Sequence, residues 1–274
     1  MKSLRFSPLF LCSLPLLLIL CHENAYAAEQ QRIPLRILSL SAAATHILMQ
    51  LEQPPIAIDE YGLLAAGENP PPVLGRGSAV SFEKITELGI NCVILWYYQN
   101  DAERLFRSRN LQVLQIAPIR LSNYAELLKT LGELTGKTKL ASKLCEEFQK
   151  KKKTLPAVAT GKAPTRVYFE LYSEWKVAGE QSYLGDLLKA GGGQCPVAKT
   201  GLLSAETILE YAPEVIFYVQ GAGFSEEIAR RPGLSDTPAV RDGRIYPVER
   251  RFVTEGLALL EAIEFFQQKL NNRK

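Results

Sequence analysis

Aromatic and basic residues in this chain gather where apolar runs end. Tyr61 follows the run IAIDE, and Trp96, Tyr97 and Tyr98 close the run CVILWYY. Tyr172, Trp175 and Lys176 follow VYFEL, and Arg250, Arg251 and Phe252 follow IYPVE. Arg76 stands in the loop Gly75-Arg76-Gly77-Ser78. A Tyr or Trp ring supplies broad stacking area with a polar tip. A guanidinium pairs with ligand oxygens in a fork. Together they suit a bulky, flat, oxygen-rich ligand. The candidate contacts are Tyr61, Arg76, Trp96, Tyr98, Trp175, Arg250 and Arg251. Sequence alone does not decide whether Tyr97 or Tyr98 faces a cleft. The competing reading makes some of these rings packing or rim residues.

Catalytic machinery is hard to find. Past the N-terminal segment the chain holds a single histidine, His46, on a helical stretch beside Ile47, Leu48 and Leu51. That placement reads as a packed or solvent-facing histidine rather than a metal ligand. No GxSxG elbow, HExxH or P-loop occurs. The run Gly191-Gly192-Gly193 follows a helical pattern and reads as a turn. The expectation is therefore no enzyme, no cofactor and no protein metal site. Asp59, Glu60, Glu170 and Glu174 could still do acid–base work, so an exported two-domain enzyme stays as the competing class.

One segment occurs twice. SFEKITELGINCVILWY (81–97) and SAETILEYAPEVIFYVQ (204–220) align at a constant offset of 123 residues. The offset superposes Ser81 on Ser204, Glu83 on Glu206, Ile85 on Ile208 and Glu87 on Glu210. Each copy predicts a Ser-capped helix running into a buried strand. Glu83 and Glu206 fall in the first helical turn, where a carboxylate offsets the helix dipole by about 0.3–1 kcal/mol. Duplication in two halves favours a second reading, in which each half shows one carboxylate to a two-fold symmetric partner.

Strands alternating with helices surround both copies. Strands are expected over 36–40, 56–59, 92–96, 113–116, 167–171, 215–219 and 245–247. Helices are expected near 43–51, 81–88, 101–109, from Ser122 to Gly136, 138–155, 182–189, 204–211, 225–230 and 255–270. Residues 62–77 read as a Gly/Pro-rich loop. This alternation predicts an α/β protein of two Rossmann-like lobes with parallel sheets, joined by one long α-helix, with a ligand cleft between the lobes. The boundaries are 32–137 for the N-terminal lobe, 138–155 for the interlobe helix and 164–274 for the C-terminal lobe. A stiff helical linker predicts small lobe motion.

Residues 1–27 read as a cleaved export signal. Lys2 and Arg5 precede the apolar run Leu9–Leu20, and Ala25-Tyr26-Ala27 offers small residues for cleavage. Leu20 stands before Cys21 where a lipid-anchoring signal carries a small residue, so no lipid anchor is expected. About 247 residues remain, enough for two modest cores. The formal net charge of the whole chain is +3, no nucleic-acid signature, and the basic run Lys150–Lys153 reads as a solvated helix end. Three cysteines remain, Cys92, Cys145 and Cys195, too few and too widely spaced for a disulfide framework, although one bridge is open to them.

These segments together resemble the periplasmic substrate-binding proteins of ABC importers for iron chelates, haem and vitamin B12, the class with one helix between lobes. RILSLSAAATHILMQL is similar to the family's opening strand and helix, IAIDEYG to its second strand, and SFEKITELGINCVILW to its docking segment. VYFELYSEWKVAGEQSYLGDLLKAGGG is similar to the start of the second lobe. The resemblance implies that Glu83 and Glu206 meet arginines on the two subunits of a permease dimer. It implies ligand contact for Tyr61 and Trp96, a monomeric protein and a periplasmic location. His46 departs from a usual Glu, and Gly89-Ile90-Asn91 from a usual Lys-Pro-Asp, which Ala212-Pro213-Glu214 approaches. No tyrosine stands near Gly75–Ser78, where haem-binding members place their iron ligand. The implied cargo is a small-molecule metal chelate, in the order ferric siderophore, corrinoid, haem. A sensor or scaffold on the same fold is a further alternative.

Overall fold

The computed structural model describes residues 34–157, 161, 163–222 and 225–271. The expected export signal lies outside the described residues. The chain divides into two compact units, Met1–Leu35 and Arg36–Lys274. Only Pro34 and Leu35 of the first are described, and both lobes belong to the second.

The first lobe opens with β1 (Ile37–Ser39), wholly buried, and α1 (Ala42–Gln50). Ser41 caps α1 by accepting from the Ala44 amide at 3.2 Å. Then come β2 (Ala57–Ile58), a 3-10 turn at Glu60–Gly62 and α2 (Leu63–Ala66). A small antiparallel hairpin, β3 (Gly75–Arg76) and β4 (Ala79–Val80), leads into α3 (Phe82–Glu87). The segment 62–77, expected as plain loop, thus holds a helical turn and a hairpin strand. Two-residue elements are too short to show a period in sequence. After α3 follow β5 (Cys92–Trp96), α4 (Asn100–Ser108) and β6 (Gln112–Ile116). The sheet is parallel throughout, in the order β2-β1-β5-β6. Leu38, Val93, Leu95 and Phe106 form its core.

Two helices carry the chain onward. α5 (Tyr124–Leu134) and α6 (Thr138–Thr154) lie against each other. The Cys145 thiol bonds the Ala125 carbonyl at 3.2 Å, and Tyr124 packs on Phe148 at 4.9 Å between ring centres. α6 stops one residue short of the expected Leu155. That residue is extended (φ −56, ψ 136) because Pro156 disfavours a helical residue before it.

The second lobe contains β7 (Thr165–Glu170), β8 (Lys176–Val177), α7 (Tyr183–Ala190), β9 (Gly193–Gln194), β10 (Gly201–Leu202), α8 (Ala205–Tyr211) and β11 (Val215–Val219). A 3-10 segment at Ser225–Arg230 precedes α9 (Pro238–Arg241), β12 (Ile245–Val248), α10 (Arg250–Val253) and α11 (Leu259–Asn271). The core strands β7, β11 and β12 are parallel, as expected. The edge made by β8 and β10 is antiparallel, so this sheet is mixed rather than purely parallel. Phe169, Phe217 and Phe266 meet within 5.1–6.0 Å under α11.

The repeat is real in three dimensions. Ser81 caps α3 by accepting from the Lys84 amide at 3.3 Å, and Ser204 caps α8 by accepting from Thr207 at 3.2 Å. Each helix then turns into a buried strand through a left-handed residue, Gly89 (φ 58) in one copy and Ala212 (φ 50) in the other. Arg36 and Arg166, each just before or at the start of its lobe's first strand, anchor these turns. Arg36 Nε donates to the Leu88 carbonyl at 2.8 Å, and Arg166 Nε to the Ala212 carbonyl at 2.9 Å. Among the described residues no helix is long and apolar enough to cross a membrane.

Candidate functional site

In open α/β sheets ligands collect beyond the carboxyl ends of the strands. Tyr61 lies just beyond β2, where the buried Asp59 shapes the turn by accepting from the Gly62 amide at 3.0 Å. Burial pushes the Asp59 carboxyl up to about 6. Tyr61 is 54% exposed, and its hydroxyl accepts from Arg76 Nε at 3.0 Å. Arg76 also lies 5.6 Å from the Tyr61 ring centre and 3.4 Å from a Glu60 carboxylate oxygen. The β3–β4 hairpin delivers Arg76 to that place. A Cβ on Gly75 would stand 2.0 Å from the Ala79 carbonyl oxygen, so only glycine permits the hairpin.

Beyond β5, Trp96 is half-buried and stacks on Tyr98, with ring centres 6.4 Å apart and planes 8° apart. Tyr97 meets the edge of Tyr98 at 5.3 Å. Tyr98 is the outermost ring, 63% exposed. Tyr61, Arg76, Tyr98, Gln99 and Asn100 line a groove of ≈ 530 Å³. The Tyr97/Tyr98 ambiguity is thereby resolved for this groove: Tyr98 lines it. Burial raises the Tyr98 phenol, helped by the charges of Glu255, Tyr97, Asp59 and Tyr61. Glu255 comes from the segment between α10 and α11, so a second-lobe carboxylate acts electrostatically on a first-lobe ring. Burial raises Glu255 as well, against the Ile119 amide and the Arg120 charge that lower it.

Second-lobe candidates divide. Arg250 is exposed, and its charge acts on Tyr172, an exposed ring just beyond β7 whose phenol burial raises. Arg251 turns elsewhere. It pairs with Glu249 at 2.8 Å, covers the Phe252 ring at 4.3 Å, and lines a separate pocket of ≈ 360 Å³ with His46, Gln50 and Glu261. Consecutive residues on a helix point about 100° apart, and here the two arginines act on different groups. Burial lowers His46 there, opposed by Glu261.

Trp175 also sits apart from the groove. Its ring packs on the second-lobe core with Tyr168, Val177 and Ile208, under the Arg231 guanidinium at 5.5 Å. Its amide donates to Glu170 at 3.1 Å from a left-handed backbone, φ 60. Gln99 and Asn100 also line the groove and are absent from the candidate contacts, because uncharged polar residues after a strand carry no distinctive signal in sequence.

The two lobes meet through the segment before α5. The Leu121 amide donates to Asp186 of α7 at 2.7 Å, and Arg120 donates to the Gln181 carbonyl. Glu83 and Glu206 are both exposed, each at the second position of its helix. The Glu206 carboxyl is lowered by its own backbone N–H and by the Ser204 hydroxyl. Cys92, Cys145 and Cys195 are buried and unbridged.

A family described as periplasmic binding protein matches residues 37–250. Among solved structures, the periplasmic heme-binding protein BhuT in complex with two hemes superposes with a TM-score of 0.76 at 17% identity, covering 86% of this chain and 97% of that one. The periplasmic vitamin B12 binding protein BtuF of Vibrio cholerae gives 0.74 at 17%, covering 87% and 98%. The periplasmic heme binding protein HutB of Vibrio cholerae gives 0.72 at 22%, covering 86% and 99%. No curated protein matches the chain.

Proposed function

The chain belongs to the periplasmic binding protein family, and on that premise we propose that it delivers a metal chelate to the permease of an ABC importer. The carrying observation is the groove where Tyr61, Arg76 and Tyr98 meet above the carboxyl end of the first sheet. Its rings stack on a bulky ligand, and the Arg76–Tyr61 pair presents hydrogen-bonding tips at fixed positions. Binding there needs no bond between the protein and the metal. The protein is a monomer outside the cytoplasm, its lobes move little, and Glu83 and Glu206 dock on the two permease subunits.

Charge balance selects among chelates. Arg76, the arginine lining the groove, is already engaged by Glu60 and Tyr61. Asp59 and Glu255 act electrostatically on Tyr98. A groove whose arginine is already paired is a poor trap for a strongly anionic ferric siderophore. It suits a bulky chelate of low net charge, and a corrinoid fits best. The siderophore reading retains one support, Arg250, which is exposed beside Tyr172 and makes no ion pair among the described residues.

The chain has only two tryptophans, and of these Trp96 stands beside the groove while Trp175 packs in a core. Tryptophan fluorescence of the processed protein is therefore titrated with cyanocobalamin, ferric siderophores and haemin. Saturable quenching by cyanocobalamin alone, lost in Trp96→Phe, is the expected result. Quenching by a ferric siderophore instead would replace the corrinoid, and no response to any of the three would remove the chelate assignment.

A further inference from the structure

Helices α3 and α8 occupy matching places, yet the surfaces around them differ in one property. The 123-residue offset pairs Leu202 with Ala79, and Leu209 with Thr86. All four are exposed, Leu202 at 73% and Leu209 at 44%. Leu209 follows Glu206 by three residues on α8, which puts both on one helix face. Leu202 lies in β10, two residues before the Ser204 cap.

The charges around the two helices are alike. Glu83 and Glu87 on α3 correspond to Glu206 and Glu210 on α8, all exposed. Each preceding strand pair also sets a cation opposite the residue in question, Arg76 across from Ala79 and Lys176 across from Leu202. Lys84 is the one added charge on the first face, where the second has Thr207. Apart from Lys84, what separates the faces is two large apolar side chains. Single exposed leucines are ordinary. Leu209 on the face of Glu206 and Leu202 on the strand leading into its helix, with neither at the twin position, are not explained by folding, since exposed leucines bury little area.

We propose that the second-lobe face, built from Leu202, Glu206 and Leu209, is the primary anchor of the complex with the permease, and that the first-lobe face adds orientation with little affinity. Its occupant is a permease subunit presenting a guanidinium bordered by apolar side chains. Continuity with Glu206 argues for this occupant, as does charge complementarity. Burying two leucines around an ion pair removes water from it and strengthens it, as surrounding contacts do at binding hot spots. This inference rests on the docking role proposed above.

The test measures affinity for the cognate permease–ATPase complex in nanodiscs, using variants whose melting temperatures match the parent. Leu202→Ser with Leu209→Ser is expected to weaken binding by about tenfold or more. Ala79→Ser with Thr86→Ser is expected to leave it within about twofold. Grafting the leucines through Ala79→Leu with Thr86→Leu is expected to tighten it. If the leucine variant binds like the parent while Glu83→Arg with Glu206→Arg abolishes binding, the anchor is refuted and the docking role stands. If the glutamate variant also binds normally, or the parent does not bind, the docking role itself falls and the anchor with it. A leucine-dependent dimer of the chain by sedimentation would make a second copy the occupant and overturn the proposal.

Discussion

Arg36 in the first lobe and Arg166 in the second make the same set of contacts. Each guanidinium donates to a carbonyl in the turn closing its lobe's copy of the repeated helix. Each backbone amide donates to a side chain on the following segment, Asn91 Oδ1 at 2.8 Å and Glu214 Oε2 at 3.0 Å. Each backbone carbonyl accepts the amide of that same residue. The lobes then diverge. The first secures its turn with a neutral Asn and a glycine. The second uses Glu214, 3.8 Å from Arg166, and forces Ala212 into the left-handed region. The second lobe also buries an ion pair. Glu170, 0% exposed, accepts from Arg231 at 2.6 and 2.9 Å, from the Tyr168 hydroxyl at 2.6 Å and from the Trp175 amide. In the first lobe the ends of β2 and β5 open into the aromatic groove. The second lobe thus closes one strand end with buried polar groups, and the first leaves aromatic groups exposed at two of its own.

The most severe way to break this contrast is Glu170→Ala. It leaves a buried guanidinium without its carboxylate and is expected to cost about 3–5 kcal/mol. Thermal unfolding would show it, with ligand affinity per folded molecule preserved. A melting temperature unchanged from the parent would mean that the pair holds nothing.

The two tryptophans sharpen the comparison. Trp96→Ala is expected to weaken ligand binding by about 1–3 kcal/mol with little loss of stability. Trp175→Ala is expected to do the reverse, losing about 2–3 kcal/mol of stability, less than a fully buried ring because Trp175 is half-exposed. Equal effects of both on affinity, by the same titration, would return Trp175 to the ligand site.

Asp59 supplies a pH test. Its folded value of about 6 lies above the ordinary carboxylate value, so the native state holds the proton more tightly than the unfolded one. Its carboxylate therefore costs stability as pH rises from about 4 to about 6, by about 3 kcal/mol, and the penalty vanishes below that window. Asp59→Asn keeps an acceptor for the Gly62 amide and should flatten that part of the stability profile. A parallel profile for variant and parent, by denaturant midpoints, would dismiss the burial penalty.

The smallest effects concern the paired turns. Gly89→Ala is expected to destabilise by about 1 kcal/mol and Ala212→Gly to stabilise by a similar amount, because only glycine enters the left-handed region without cost. Opposite signs, read from melting temperatures, would follow from one turn geometry in both lobes. Like signs would show that the turns differ.

Much of the scaffold is legible from periodicity. Cys92–Trp96 and Val215–Val219 read as strands and are strands to the residue, since continuous apolar runs bounded by turn signals have one good solution in a buried sheet. Ser81 and Ser204 read as caps because a hydroxyl before a helix has a local partner. The Arg36 and Arg166 latches were not legible. They join residues 55 apart in one lobe and 48 in the other, so a constant offset passes over them.

By itself, then, the sequence determined the alternation of strands and helices, the duplicated helix–strand unit and the presence of aromatic and cationic groups after the strands. All of these are local, set by side-chain period, capping and turn chemistry. Only the tertiary structure decided which of those groups converge. It sent Arg251 to a pocket away from the groove, packed Trp175 against the second-lobe core, and set Tyr98 rather than Tyr97 on the groove. These outcomes depend on the direction of each side chain once distant segments pack, and no stretch of neighbouring residues carries that information.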